Sequence, residues 1–489
     1  MLFSDENLKY KIKIGAVLAF ITVLLVYIFK AEVVTSAVTV AIFTFFILCV
    51  VFTNFYITTR EKFIISLSAA TAWMIFSYIV AERWIDEFAQ IVTYPISLIS
   101  IFGIAILPGF MNAFMVSSLL LDRRPTRRPK VDEYPAITIL VAAYNEEDNI
   151  LSTLESIDRQ DYPGQMTTIL INDGSKDRTA QRVMGVMHQY PWLYFINESM
   201  NRGKSSALNL GMTKVKSALT ITIDADSYLF KDALKHIVER YLSDPQNTAA
   251  VAGAVLVRNS RKNLVTKTQE WDYFHGIAAV KRIQSLYQGT LVAQGAFSLY
   301  ETRVLKEICQ WPACVGEDIV LTWSMLNKGY RIGFAEDACL FTNAPDTWKQ
   351  FIRQRQRWSR GLVEAFKENW QLLFKVRMTT LFIWWNALFF LLDLTYTFVF
   401  IPGIILALFG IYWIAGPLTL FVLPLAMIVN YIMYDAQAEM FRKQGLRVRK
   451  NLIGFMFYSL LYGMILQPAC VLGYLKELVV GSKKTWGTK

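Results

Sequence analysis

Hydrophobic positions fall into two blocks, separated by a long stretch in which short apolar runs alternate with polar ones. In the leading block, apolar runs occupy residues 14–29, 34–57, 63–80 and 94–121. A helix needs about 20 apolar residues to cross a hydrocarbon core of roughly 30 Å, so these runs predict membrane spans. The trailing block predicts spans at residues 381–408 and 413–434 and a last one at 452–478, where Gln467-Pro468 predicts a break or kink. No small-x-small cleavage site follows the first run and further spans do, which argues against a cleaved leader.

Between the blocks, residues 131–369 read as an α/β domain. AITILVAAYNEEDNI, residues 136–150, is a β-rich run that stops at Tyr144-Asn145-Glu146-Glu147 and passes into a helical pattern. TTILINDGSKDRTA, residues 167–180, repeats the form and ends its strand at Asn172-Asp173-Gly174-Ser175. A third strand at 193–197 leads through Asn201-Arg202-Gly203-Lys204 into a helix with Leu208 and Leu210, and a fourth at 218–223 ends in Asp224-Ala225-Asp226. Successive β-then-α units predict a parallel sheet with helices on both faces, and such sheets bind ligands at the carboxyl ends of their strands. The polar clusters all fall at such ends. Singly, YNEE and NDGS read equally well as turn and helix-cap chemistry. Two carboxylates two residues apart at a strand end, however, can address one divalent cation, and Mg²⁺ and Mn²⁺ favour such oxygen ligands.

Composition sharpens this. With 54% hydrophobic and 14% aromatic residues and a mean hydropathy of +0.33, the chain is too apolar for a soluble enzyme. The formal charge of +11 concentrates in Lys9, Lys11, Lys13, Arg60, Lys62, the linker DRRPTRRPK at 122–130 and residues 442–450, whereas a loop expected at 81–90 is acidic on balance. By the positive-inside rule the α/β domain faces the cytoplasm, and the charge matches anionic headgroups without calling for nucleic acid. A single span at 452–478 would leave the basic tail KKTWGTK outside, so that segment is either a broken hairpin or one span of several miscounted. Cys49, Cys309, Cys314, Cys339 and Cys470 show no C-x-x-C spacing and read as free structural thiols; His188, His236 and His275 lack ligand spacing.

YNEE, NDGS, NRGKSSALNLG, Asp224-Ala225-Asp226, then Gln294-Gly295-Ala296-Phe297, Gly316-Glu317-Asp318 and QRQRW at 354–358 together resemble the membrane-integrated family 2 glycosyltransferases. That group includes the cellulose, chitin, hyaluronan and poly-N-acetylglucosamine synthases. The resemblance implies a GT-A type nucleotide-diphospho-sugar transferase fold inserted between transmembrane bundles. It divides the chain into a transmembrane region at 1–121, a basic linker at 122–130, a cytoplasmic catalytic domain at 131–347, interfacial amphipathic helices carrying Q-x-x-R-W at 348–378 and a second transmembrane region at 379–489.

The resemblance also implies roles. Tyr144, Asn145 and Glu146 frame the uridine, Asp173 contacts the base, and Lys204 lies near the diphosphate. Asp226 is the metal ligand and Asp224 faces the ribose or the outer shell of Mg²⁺ or Mn²⁺, an assignment that is interchangeable between the two. Asp318 is the catalytic base, with Glu317 beside it at the start of an amphipathic helix over 319–326, where the helix dipole favours a carboxylate. Gly295, Phe297, Gln354, Arg357 and Trp358 form the acceptor side, the indole under a sugar ring and the guanidinium on phosphate. Arg353, Arg355 and Arg360 are left for the membrane surface or local pairing, since Phe351, Trp358, Leu362 and Phe366 also recur at the spacing of an interfacial helix.

One base implies inversion, so an α-linked UDP-sugar yields a β-linkage. The implied partners are a UDP-sugar donor, a growing polysaccharide or lipid-linked acceptor and membrane lipids of the plasma (inner) membrane, with room for an accessory subunit. TWSMLNKGYRIGFAEDACLF, residues 322–341, looks closest to users of UDP-N-acetylglucosamine. The alternatives are a UDP-glucose-using synthase, transfer of one sugar to a lipid, and a transporter or inactive scaffold. Asn386 and Asp393, costly in lipid, either line a polymer path or pair with neighbouring helices.

Overall fold

The computed structural model describes residues 57–122, 131–308, 310–415 and 450–479, with isolated positions between 427 and 446 and residue 481. The expected runs at 14–29 and 34–57, Lys9 to Lys13, Cys49, Cys309, most of the linker at 122–130, most of the run at 413–434 and the tail KKTWGTK lie outside the described residues. The chain forms two compact units. One takes in Met1–Arg124, Ala387–Met440 and Ser459–Pro468; the other takes in Pro125–Asn386, Phe441–Tyr458 and Ala469–Lys489.

Among the described residues, three helices are long and apolar enough to cross a membrane: Thr59–Ala89, Tyr94–Leu121 and Met378–Leu408. The first opens on a capping box, in which the Glu61 N–H donates to Thr58 Oγ1 and the Thr58 N–H to Glu61 Oε2. The acidic stretch at 81–90 belongs to the last turns of this helix rather than to a loop. Ile85 and Phe88 continue its buried face, and an Arg83–Glu87 pair one turn apart supports its exposed side. Small residues permit close helix contact within this unit: a Cβ on Gly103 would stand 2.4 Å from Thr395 Oγ1. The break expected at Pro468 occurs instead at Leu461, where Leu452–Leu460 and Tyr462–Val479 meet at 53°. Pro468 lies inside the second helix, followed by buried Ala469 and Val471, so packing holds the helix across the one hydrogen bond the ring removes. Asn386 donates to Phe382 O one turn back in its own helix, and Asp393 is buried.

In the other unit, eight strands form one sheet in the order β3-β2-β1-β4-β7-β6-β8-β5. They are β1 (Ile137–Ala143), β2 (Met166–Asp173), β3 (Leu193–Glu198), β4 (Leu219–Asp224), β5 (Ser227–Leu229), β6 (Thr248–Val257), β7 (Phe297–Glu301) and β8 (Arg331–Thr342). The half formed by β3, β2, β1 and β4 is parallel, as the repeated units predict. β1, at its centre, is buried along its whole length, which accounts for its continuous apolar run. The sheet as a whole is mixed, not parallel, because β7 runs antiparallel to both β4 and β6, and β5 antiparallel to β8. The reversal has a direct effect on the site. β7 starts where β4 ends, so Ala296 O accepts the Asp224 N–H at 3.2 Å and Gly295 arrives beside the D-x-D turn.

Candidate active site

The loops after β1, β2 and β3 make one wall. Asn145, in the left-handed region at φ 55°, donates its N–H to Ser175 Oγ and accepts the Lys176 N–H on Oδ1, both at 2.9 Å. The Glu146 N–H donates to Thr179 Oγ1, and its buried carboxylate accepts from Asn149 Nδ2. These two side chains lace loops together, whereas Tyr144 stays half-buried. Gly174, at φ 66°, leaves no room for a side chain: a Cβ would stand 2.5 Å from Asn201 N.

Asp173 is 1% exposed and accepts the N–H groups of Arg202 and Gly203 at 2.9 and 2.8 Å. It fixes the loop that delivers Lys204. The Lys204 ammonium lies 2.5 Å from Asp224 Oδ1 and 3.9 Å from Glu317 Oε1. Burial opposes the charge on Lys204, but Asp224 and Glu317 outweigh it and raise its pKa to about 12. A Cβ on Gly295 would stand 2.9 Å from this ammonium, so Lys204 passes close over the Gly295 backbone. Asp226, half-buried, accepts from Thr342 Oγ1 at 3.3 Å. Among the described residues no group of three or more His, Cys, Asp or Glu is disposed to hold a metal ion.

The helix Glu317–Asn327 begins on the expected acidic pair. Asp318 is half-buried, with Oδ1 accepting the Ile319 N–H at 2.8 Å and Oδ2 the Gly295 N–H at 3.3 Å. Glu317 is buried, and burial, seconded by Asp318 and opposed by Lys204 and Arg357, raises its pKa to about 7. Phe297 is fully buried at the start of β7, with its ring packed against Gly253 in the core behind the site.

QRQRW lies on the helix Trp348–Asn369. Gln354 Oε1 and Arg357 Nε are buried without a hydrogen-bond partner among the described residues. Trp358 is 41% exposed, with the Arg355 guanidinium 4.0 Å over its ring. Arg355 pairs with Asp272 at 2.7 Å and Arg360 with Glu477 at 3.3 Å, so local pairing claims both, while Arg353 is exposed.

The site thus joins carboxyl-end loops of a parallel half-sheet, a lysine between two acids and an acidic helix start beside an arginine helix, and residues 135–361 match a family model described as "Glycosyltransferase like family 2". The match makes residues 135–361 a glycosyltransferase family 2 domain. The chain is 31% identical over 254 residues to a poly-beta-1,6-N-acetyl-D-glucosamine synthase of Staphylococcus aureus, covering 52% of this chain and 61% of that one. Against the enzyme of the same name from Staphylococcus epidermidis it is 28% identical, covering 59% of this chain and 69% of the other. Its match thus spans about three fifths of the Staphylococcus aureus relative's length. In fold it is similar to a mannosyltransferase from Pyrobaculum calidifontis in complex with GDP-Man and Mn²⁺, with a TM-score of 0.50, 17% identity, and coverage of 86% of this chain and 99% of that chain. That likeness concerns the GT-A-like fold alone.

Three residues around the site were missed in the sequence. Lys281 donates to Val292 O and to Gln294 Oε1, behind Gly295, and burial, opposed by Asp318, lowers its pKa to about 7. Nothing in its sequence context signals this. Gly361 and Glu364 contact the segment just before Glu317, and their spacing of four and seven residues after Arg357 was the available signal.

Proposed function

We propose that this protein transfers N-acetylglucosamine from UDP-N-acetylglucosamine, with inversion, onto a growing β-linked polysaccharide at the membrane and passes the product across it. The observation that carries the reading is the meeting of Lys204, Asp224, Glu317, Asp318 and Gly295 at one edge of the sheet. The sugar and the polymer are drawn from the named activity of the Staphylococcus relatives, and membrane placement from the apolar helices on either side of the domain.

In the proposed step, the acceptor hydroxyl oxygen bonds to C1 of the donor sugar as the bond from C1 to the β-phosphate oxygen breaks. The proton goes to Asp318, and UDP leaves with the bonding pair. Asp318 is suited to this because it is accessible, oriented by the Gly295 and Ile319 N–H groups, and has no cation paired to it among the described residues. Lys204, held between Asp224 and Glu317, supplies a fixed positive charge for the diphosphate. The unpartnered Gln354 Oε1 and Arg357 Nε favour a polar ligand at the Q-x-x-R-W face, with Trp358 as the sugar platform. UDP lies against Tyr144 and the wall fixed by Asn145, Glu146 and Asp173.

The all-oxygen donor set of Asp224 and Asp226 suits Mg²⁺ or Mn²⁺ completed by phosphate and water. When bound, such an ion neutralises diphosphate charge and improves the leaving group. Purified protein incubated with Mg²⁺ or Mn²⁺ and a set of radiolabelled UDP-sugars, followed by sizing of the product, tests donor and polymerisation together. A long polymer from UDP-N-acetylglucosamine is expected; a product of one sugar on lipid would sink the polymerase reading.

A further inference from the structure

Gln354, Arg357, Gly361 and Glu364 are spaced by three, four and three residues along the helix Trp348–Asn369, which sets them on one face. The last two have no part in the chemistry above. Gly361 meets Gly316 backbone to backbone: a Cβ on Gly316 would stand 2.4 Å from the Gly361 Cα, and one on Gly361 would stand 2.7 Å from the Gly316 Cα. One turn further, Glu364 is 6% exposed, and its two carboxylate oxygens accept the Val315 N–H at 3.2 Å and the Gly316 N–H at 2.8 Å. The helix Glu317–Asn327 starts at the next residue. Its entry is therefore held twice, by a contact only two glycines permit and by a carboxylate on two backbone donors.

We propose that Gly361 and Glu364 are positioning residues that set Asp318 relative to Arg357, extending the functional face of Q-x-x-R-W by two turns. The inference rests on the reading of Asp318 as the base. Gly316 is buried, so water does not replace the carboxylate, and without Glu364 the two N–H groups lose their partner. A base displaced by about 1 Å costs on the order of 100-fold in rate, while the nucleotide wall, built on β1, β2 and β3, is untouched.

The full chain in detergent, with UDP binding and transfer measured separately, provides the test. Glu364→Ala and Gly361→Ala should each lose roughly 30-fold in turnover while UDP affinity stays within about twofold, and Glu364→Gln, whose amide oxygen still accepts one of the two N–H groups while its NH₂ faces the other, should regain only part of the loss. Because Glu364 acts through Asp318, Glu364→Ala should add no further loss in an Asp318→Asn background. A multiplied loss in that double variant, wild-type turnover in Glu364→Ala, or loss of UDP binding in both Glu364→Ala and Gly361→Ala overturns the inference. Full activity in Asp318→Asn instead overturns the base assignment itself, whatever the Glu364 variants do.

Discussion

Glu317 and Asp318 are neighbours in sequence with different environments. Glu317 is buried against Lys204 and has its pKa raised to about 7, while Asp318 is half-buried and hydrogen-bonded to two backbone N–H groups. A carboxyl group whose folded pKa exceeds its ordinary value binds its proton more tightly in the native state. Its contribution to stability is fully present below the ordinary carboxylate range and is lost as pH rises through about 7. The thermal midpoint of the wild-type protein should therefore fall between pH 5 and pH 8, a window set by this shift, and Glu317→Gln should flatten that fall. An unchanged slope in the variant would show that another group carries it. The residue pair was legible in sequence as an acidic helix start. The difference between the two acids was not, because Lys204 reaches Glu317 across more than a hundred residues of chain.

At the scale of elements, the parallel half of the sheet was readable because each strand is a short apolar run that stops at a polar cluster and enters a helix. The mixed half was not. β7 reads as one more strand, and its direction depends on the loop that feeds it from the carboxyl edge of β4. Asp173 was legible as a strand-end acid, while its two backbone partners, which come from the loop after β3, were not. Asp173→Asn leaves one of the Arg202 and Gly203 N–H groups facing an amide NH₂, at a cost of about 1–3 kcal/mol. The loop that carries Lys204 should loosen, and titration with UDP should show affinity weakened by roughly tenfold. Affinity equal to wild type would mean that the loop is held by its other contacts.

At the scale of the whole molecule, the catalytic unit is completed by chain from its far end. Glu477, with a side chain 2% exposed, takes Arg360 at 3.3 Å and Lys367 at 2.9 Å, and a Cβ on Gly473 would stand 1.9 Å from Ser359 Oγ. The helix Tyr462–Val479 thus braces the one that carries Q-x-x-R-W. Lys367 is about half exposed, so the Arg360 pair carries most of the effect. Glu477→Ala should destabilise the unit by roughly 2 kcal/mol, read as a lower thermal midpoint in detergent; no shift would refute the brace. The sequence by itself determined the apolar helices Thr59–Ala89, Tyr94–Leu121 and Met378–Leu408, the α/β order, the strand-end acids and the acidic helix start, because each is written in local periodicity and turn chemistry. Only the tertiary structure decided that Asn145, Glu146 and Asp173 tie the strand-end loops together, that Phe297 packs into the core, that β7 runs backwards, and that Gly361 and Glu364 meet Gly316. Those outcomes depend on which distant backbone groups and side chains share one buried volume, and periodicity along the chain does not encode that.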